Sequence, residues 1–133
     1  MRARLVYAKV VDREVLIARG GKVSPHLHNE VRLVTEDPGV AAAFLVLRAW
    51  TDHHGTFTEQ WRIEGSGGGV VYESVPRELH IASEDHTEHL EDEVADLEFQ
   101  YAADDYNAVF LLDDQVMARV TFPVRAHDAP DEG

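Results

Sequence analysis

The stretch SEDHTEHLEDEVADLE, residues 83–98, carries eight carboxylates and two histidines and neither lysine nor arginine. Oxygen and imidazole donors gathered this densely are the raw material of a divalent-cation site. If the segment is helical, His86 and His89 lie three residues apart and Asp85 lies four from His89, a spacing that brings imidazole and carboxylate to one helix face. Zinc and other first-row ions take about three or four ligands at roughly 2.0 to 2.2 Å. Asp85, His86 and His89 would therefore need a further ligand from elsewhere, such as His80. The motif is not HExxH, in which two histidines flank a catalytic glutamate. The same residues also suit an acidic loop or short helix near residues 84–94 that simply joins two strands.

Calcium asks less of geometry, accepting about six to eight oxygens from irregular loops. Glu84, Asp85, Asp104, Asp105, Asp113 and Asp114 are all predicted in loops. Consecutive antiparallel strands alternate direction, however, so the loop at 104–105 and the turn at 113–114 belong at opposite ends of the fold. The D-x-D-x-D-G spacing of an EF-hand is absent as well.

His26 and His28, in PHLHNE, would share one face of an extended segment. Two such imidazoles can hold a metal with an outside ligand, or line a polar strand edge. His53 and His54 precede a turn glycine and point apart. Gly65-Ser66-Gly67 lacks the G-x-S-x-G elbow, and GSGGG lacks the lysine and hydroxyl of a phosphate loop. Ser83, Asp85 and His86 are sequence neighbours, whereas a Ser-His-Asp triad is defined by spatial roles. With 25 carboxylates in the chain, the pair that glycosidases need singles out nothing. Cysteine is absent, which removes disulfides, thiolate metal sites and thiol nucleophiles.

The elements that must position these residues are strands. In TFTEQWRIE, Phe57, Trp61 and Ile63 fall on one face and Thr56, Thr58, Gln60, Arg62 and Glu64 on the other, with Glu59 the one exception. QVMARVTFPV places Val116, Ala118, Val120, Phe122 and Val124 opposite Met117, Arg119, Thr121 and Pro123. Leu97, Phe99 and Tyr101 repeat the alternation. ARLVYAKVV, REVLIAR, VAAAFLVLRAW and GVVYESV are apolar enough to be strands buried on both faces. Asp37-Pro38-Gly39 suits a β-turn, Leu112-Asp113-Asp114-Gln115 a tight hairpin, and GSGGG a flexible one. The expectation is an all-β chain: a single antiparallel β-sandwich of about eight strands over residues 1–126, then a disordered acidic tail at 127–133.

A chain of 133 residues with 44% hydrophobic content suffices for one core. The net charge of -13 is unevenly placed: residues 1–66 hold nine Lys/Arg against eight Asp/Glu, and residues 67–133 hold three against seventeen. Nucleic acid and anionic membranes are bound through Lys/Arg that neutralise phosphates, so neither is expected as a partner. The longest apolar run, Val40 to Leu47, is too short to cross a bilayer, and Lys9, Asp12, Arg13 and Glu14 interrupt any signal-peptide core. A cytoplasmic protein is expected.

The segment DLEFQYAADDYNAVFLLDDQVMARVTFPV resembles the closing hairpin of small bacterial β-sandwich proteins of unknown function, which share an immunoglobulin- or C2-like skeleton. In those proteins "G-x-Y" opens a strand, "hDG" turns it and "hxxxxhxV" finishes it. ARLVYAKVVDREVLIARGG is similar to their opening strands. Asp104 stands where the glycine before Tyr106 is expected, and Asp114 where the turn glycine is expected. The resemblance covers about half the chain and implies a fold without an activity.

The reading that follows is a non-catalytic β-sandwich module acting through protein–protein association, with a homodimer as one form of it. Trp50, Trp61 and Tyr72 are the candidate surface anchors wherever they are not core, and Pro76 and Pro123 suit blocked sheet edges. The alternative is a divalent-metal or small-molecule binding protein that uses the acidic loop 84–93. No cofactor is expected beyond such a cation.

Overall fold

A computed structural model describes residues 4–36, 39–51, 55–83, 86–99 and 105–126. The chain is all-β, with eleven strands and one helix among the described residues. In order these are β1 (Arg4–Asp12), α1 (Arg13–Ala18), β2 (Val31–Glu36), β3 (Gly39–Ala41), β4 (Phe44–Thr51), β5 (Gly55–Glu64), β6 (Val70–Glu73), β7 (Arg77–Ile81), β8 (Glu88–Val94), β9 (Glu98–Phe99), β10 (Asp105–Leu112) and β11 (Gln115–Ala126). None of the described helices is long and apolar enough to cross a membrane. The tail at 127–133 lies outside the described residues.

Two sheets result. The small one has the order β1-β4-β8, and the large one runs β6-β5-β10-β11-β2-β3-β9, with β7 also paired to β5. All pairs are antiparallel except β11 with β2, where Val124, Arg125 and Ala126 run parallel to Val31, Arg32 and Leu33. This corrects the expectation of purely antiparallel pairing. The reason is length: β11 has 12 residues and β10 only 8, so the end of β11 outlasts its hairpin partner and takes another neighbour.

One core serves both sheets. Val10, Phe44, Val46, Trp50 and Val94 of the small sheet pack in one cluster with Leu33, Ile63, Phe110 and Phe122 of the large one. On the other face of the small sheet, Val11, Leu45 and Leu47 pack under Leu16 of α1 and Leu27. The central strand β4 is thus buried on both faces from Phe44 to Trp50, as its apolar run requires.

Four local expectations are corrected. REVLIAR is helical because the Asp12 carboxylate caps the N–H groups of Glu14 and Val15, while Gly20 and Gly21, both at positive φ, end the turn after one buried leucine. VAAAFLVLRAW is two strands, with β3 in the large sheet and β4 in the small one. A register shift between Phe110 and Leu111 pairs Val116 with Leu111, and it turns Val116 to the exposed face while both Met117 and Ala118 pack on the core. Finally, most of the expected acidic loop is strand β8, with Leu90, Asp92 and Val94 inward and His89, Glu91 and Glu93 outward.

The hairpin at 112–115 is formed as expected. Asp113 and Asp114 sit at φ 51° and 67°, the left-handed pair that a two-residue hairpin demands. Asp113 is tied down twice, its carboxylate accepting from the Thr58 N–H at 2.9 Å and its own N–H donating to the Thr58 carbonyl at 2.8 Å. Asp114 has no such bond among the described residues and keeps its positive φ. Replacing Asp114 with glycine is expected to stabilise the fold by about 1 kcal/mol in denaturant unfolding, and Asp113→Gly to gain nothing, because the bond from Thr58 is lost.

Candidate functional site

The charged residue inside the apolar face of β5 and the one inside the apolar run of β4 meet each other. Arg48 and Glu59 are 0% and 1% exposed. The Arg48 guanidinium forks onto the Glu59 carboxylate, with Nε to Oε2 at 2.7 Å and Nη2 to Oε1 at 2.8 Å. The pair crosses from the small sheet to the large one. Burying an ion pair is expensive, and such a pair survives only when its remaining donors and acceptors are satisfied. Here Arg48 Nη1 donates to the Val46 carbonyl at 3.2 Å, and the Trp50 indole donates to Glu59 at 3.1 Å.

The network continues outward to β8. Arg48 Nη2 also lies 3.1 Å from Asp92 Oδ2, which accepts from the Trp61 indole at 2.7 Å, while Arg77 Nη2 donates to Asp92 Oδ1 at 2.6 Å. Burial pushes the Asp92 carboxyl up. The hydrogen bond from Trp61 and the charges of Arg48 and Arg77 outweigh that push and hold it below the usual carboxylate range. Asp92 is therefore an anion that fixes β8 to both sheets. Neither Arg48 nor Asp92 was singled out by sequence, although Glu59 was visible as the lone break in an alternation.

Asp92 also opens onto a cleft of about 220 Å³ between β8 and the β6–β7 edge, lined by Trp61, Tyr72, Ser74, Arg77 and Glu93 among others. Strand β5 pairs with β6 through Arg62–Glu64 and with β7 through Gly55–Glu59, leaving a gap at Ser74-Val75-Pro76. There Ser74 Oγ accepts from the Trp61 N–H at 2.9 Å, and Val75 is 82% exposed. Of the expected surface anchors, Trp61 is 1% exposed and belongs to the core, and only the half-buried Tyr72, whose ring centroid is 5.4 Å from that of Trp61, reaches the surface at this cleft. Trp50 likewise lies in the core, bonded to Glu59, so neither tryptophan is the surface anchor expected of it.

The candidate metal ligands are differently placed. His86 Nε2 is 2.7 Å from Glu88 Oε1, and His89 Nδ1 is 3.2 Å from the Tyr7 hydroxyl across the small sheet. His80 meets the Thr56 hydroxyl on the large sheet. The helical spacing that would join His86 and His89 does not arise, because His89 belongs to a strand. Asp85 lies outside the described residues, as do Glu84, Asp104, His53 and His54. Among the described residues no three His, Asp or Glu side chains are grouped to hold a metal ion. Asp105 and Asp113 stand at opposite ends of β10.

Breaking the network from one side strands a buried charge. Arg48→Met alone is expected to cost about 3–5 kcal/mol in denaturant unfolding, and Arg48→Met with Glu59→Leu to cost less than the two single changes together. A carboxyl whose folded pKa is depressed stabilises the fold above its unfolded pKa of about 3.9 and loses that stabilisation as pH falls through the folded value. Asp92→Asn should therefore be less stable than wild type at pH 7, with a gap that narrows on acidification below about pH 4.

No family model and no curated protein matches the sequence. Among solved structures, the chain is similar to the Pseudomonas fluorescens alkylpurine DNA glycosylase AlkC bound to DNA containing an abasic site analog, with a TM-score of 0.57 at 9% identity. The match covers 93% of this chain and 30% of the glycosylase, so the chain spans less than a third of that protein's length and the likeness is one of fold. It corrects the expectation that nucleic acid is excluded as a partner, since this type of fold occurs in a protein bound to DNA. Net charge is an average over the surface. Here Arg62 and Arg119 share Glu64, and Arg125 meets Glu30, so cations are present on the large sheet despite the acidic total.

Proposed function

We propose that this chain is a non-catalytic β-sandwich module, of the immunoglobulin- or C2-like kind that its hairpins resemble, which binds an extended basic segment of another protein along the edge of β8. The observation that carries this reading is the edge itself. Among the described residues β8 has no strand on the side away from β4, and it carries Glu88, Glu91, Asp92 and Glu93 in seven residues. An added strand gains main-chain hydrogen bonds there, and alternate side chains supply specificity.

Charge chooses the occupant. A second copy pairing through β8 would set carboxylates opposite carboxylates, which destabilises a sheet, whereas lysines and arginines would be matched. Size points the same way: three clefts lined by described residues measure about 220, 240 and 180 Å³, below the roughly 300–1,000 Å³ of small-molecule sites. The divalent-metal alternative on residues 84–93 draws on the His86–Glu88 contact. A zinc- or calcium-dependent rise in Tm that His86→Ala removes would favour it.

A short alternating lysine–threonine peptide is expected to slow amide exchange in β8 and to bind more weakly as salt rises. The Glu88→Lys/Glu93→Lys variant should lose about tenfold in affinity. An acidic peptide that binds as well, or a DNA duplex that displaces the lysine peptide from β8, would contradict the reading.

A further inference from the structure

Strand addition at β8 leaves one question of recognition, which the outer face of the small sheet answers. Pairing across its three strands sets up two rows: Tyr7, Ala49 and His89 in one, and Lys9, Leu47 and Glu91 in the next. A register shift between Leu5 and Tyr7 is what brings Tyr7 to this face while Leu5 stays on the core. Ala49 is too small to separate its neighbours, so the Tyr7 hydroxyl and His89 Nδ1 meet above it at 3.2 Å, with rings 6.1 Å apart. Beside them is a recess of about 240 Å³ whose floor includes Leu16, Val23 and Leu47 and whose rim is Tyr7, His89 and Glu91.

The rim is electron-rich and acidic. Burial raises the Tyr7 pKa and the Glu91 charge adds to it, so the hydroxyl stays protonated and keeps lone pairs to offer. Lys9, the cation of the next row, is turned away to the Leu27 carbonyl at 2.9 Å. The neighbouring Glu93 and Glu88 are engaged by Arg13 and His86, whereas Glu91 has no ion-pair partner among the described residues.

We propose that this recess reads one side chain of the docked strand, and that the side chain is a long aliphatic cation, a lysine or arginine. The inference rests on the strand-addition reading above. A residue paired beside Glu91 sits about 4.8 Å from β8 and about twice that from β4, so a short side chain stops over β8 and only a long one extends to the mouth of the recess. An aliphatic stem lies against Leu47 and Val23, and the charged head meets the Glu91 carboxylate, the Tyr7 oxygen and the aromatic faces of Tyr7 and His89. Threonine or serine at that position stops at the neighbouring Glu91 and falls short of Tyr7, Leu47 and Val23.

The test compares the alternating lysine–threonine peptide with its norleucine–threonine counterpart, which keeps the stem and removes the charge. Wild type is expected to bind the lysine peptide about tenfold more tightly, and Glu91→Gln and Tyr7→Phe each to bring the lysine peptide down toward the norleucine peptide. Equal affinity for both peptides, with β8 amides still protected, would overturn the recess as the reader and leave strand addition standing. Failure of both peptides to protect β8 would overturn strand addition, and the recess with it.

Discussion

The Arg48–Glu59 pair is the constraint on which the arrangement of the two sheets depends. Arg48 belongs to the central strand of the small sheet and Glu59 to the large one, so their two-pronged contact forms only when the sheets face each other in one register. Apolar contacts are non-directional and tolerate small displacements. A bidentate guanidinium–carboxylate contact does not, because its two hydrogen bonds require one distance and one plane. Both tryptophan indoles donate into the same network, one to Glu59 and one to Asp92, so the largest core side chains are oriented by it too.

The network also explains why β8 is a strand with an exposed acidic side. Seven residues with four carboxylates would gain little from burial. What holds them in the small sheet is inward-facing Leu90 and Val94 together with Asp92, whose anion is compensated by Arg48 and Arg77. With Asp92 consumed inside, the outward Glu91 and Glu93 are left along an edge that pairs with no other strand among the described residues. The cleft at Tyr72 and Arg77 and the recess at Tyr7 and His89 then flank one strand, on its inner and outer sides.

Much of this was legible in the sequence, and the parts that were not share a cause. Period-two patterning read β5 and most of β11 correctly, and the two aspartates at 113–114 marked the hairpin. The same patterning hid β8, because one of its inward positions is an aspartate and the strand then looks polar on both faces. Glu59 broke its strand's pattern visibly, but its meaning needed Arg48, eleven residues earlier, and nothing local connects the two. REVLIAR was misread because four consecutive apolar residues, Val15 to Ala18, suit a strand, while the cap that makes it a helix is the single carboxylate of Asp12. His86 and His89 looked paired only on a helical ruler; with His86 ahead of β8 and His89 within it, the two imidazoles find separate partners. Net charge misled on partners, since it says nothing about where the arginines sit.

The proposed binding at the β8 edge depends on the buried network that positions that edge, and titration of Asp92→Asn with the lysine–threonine peptide tests this dependence most directly. Every outward carboxylate of β8 is intact in this variant, and near-ultraviolet circular dichroism establishes that its core is folded. The account predicts that the folded variant shows faster amide exchange in β8 than in the β10–β11 hairpin and binds the peptide at least several-fold more weakly than wild type. A variant that is folded, keeps β8 protected and binds the peptide as wild type does would contradict it.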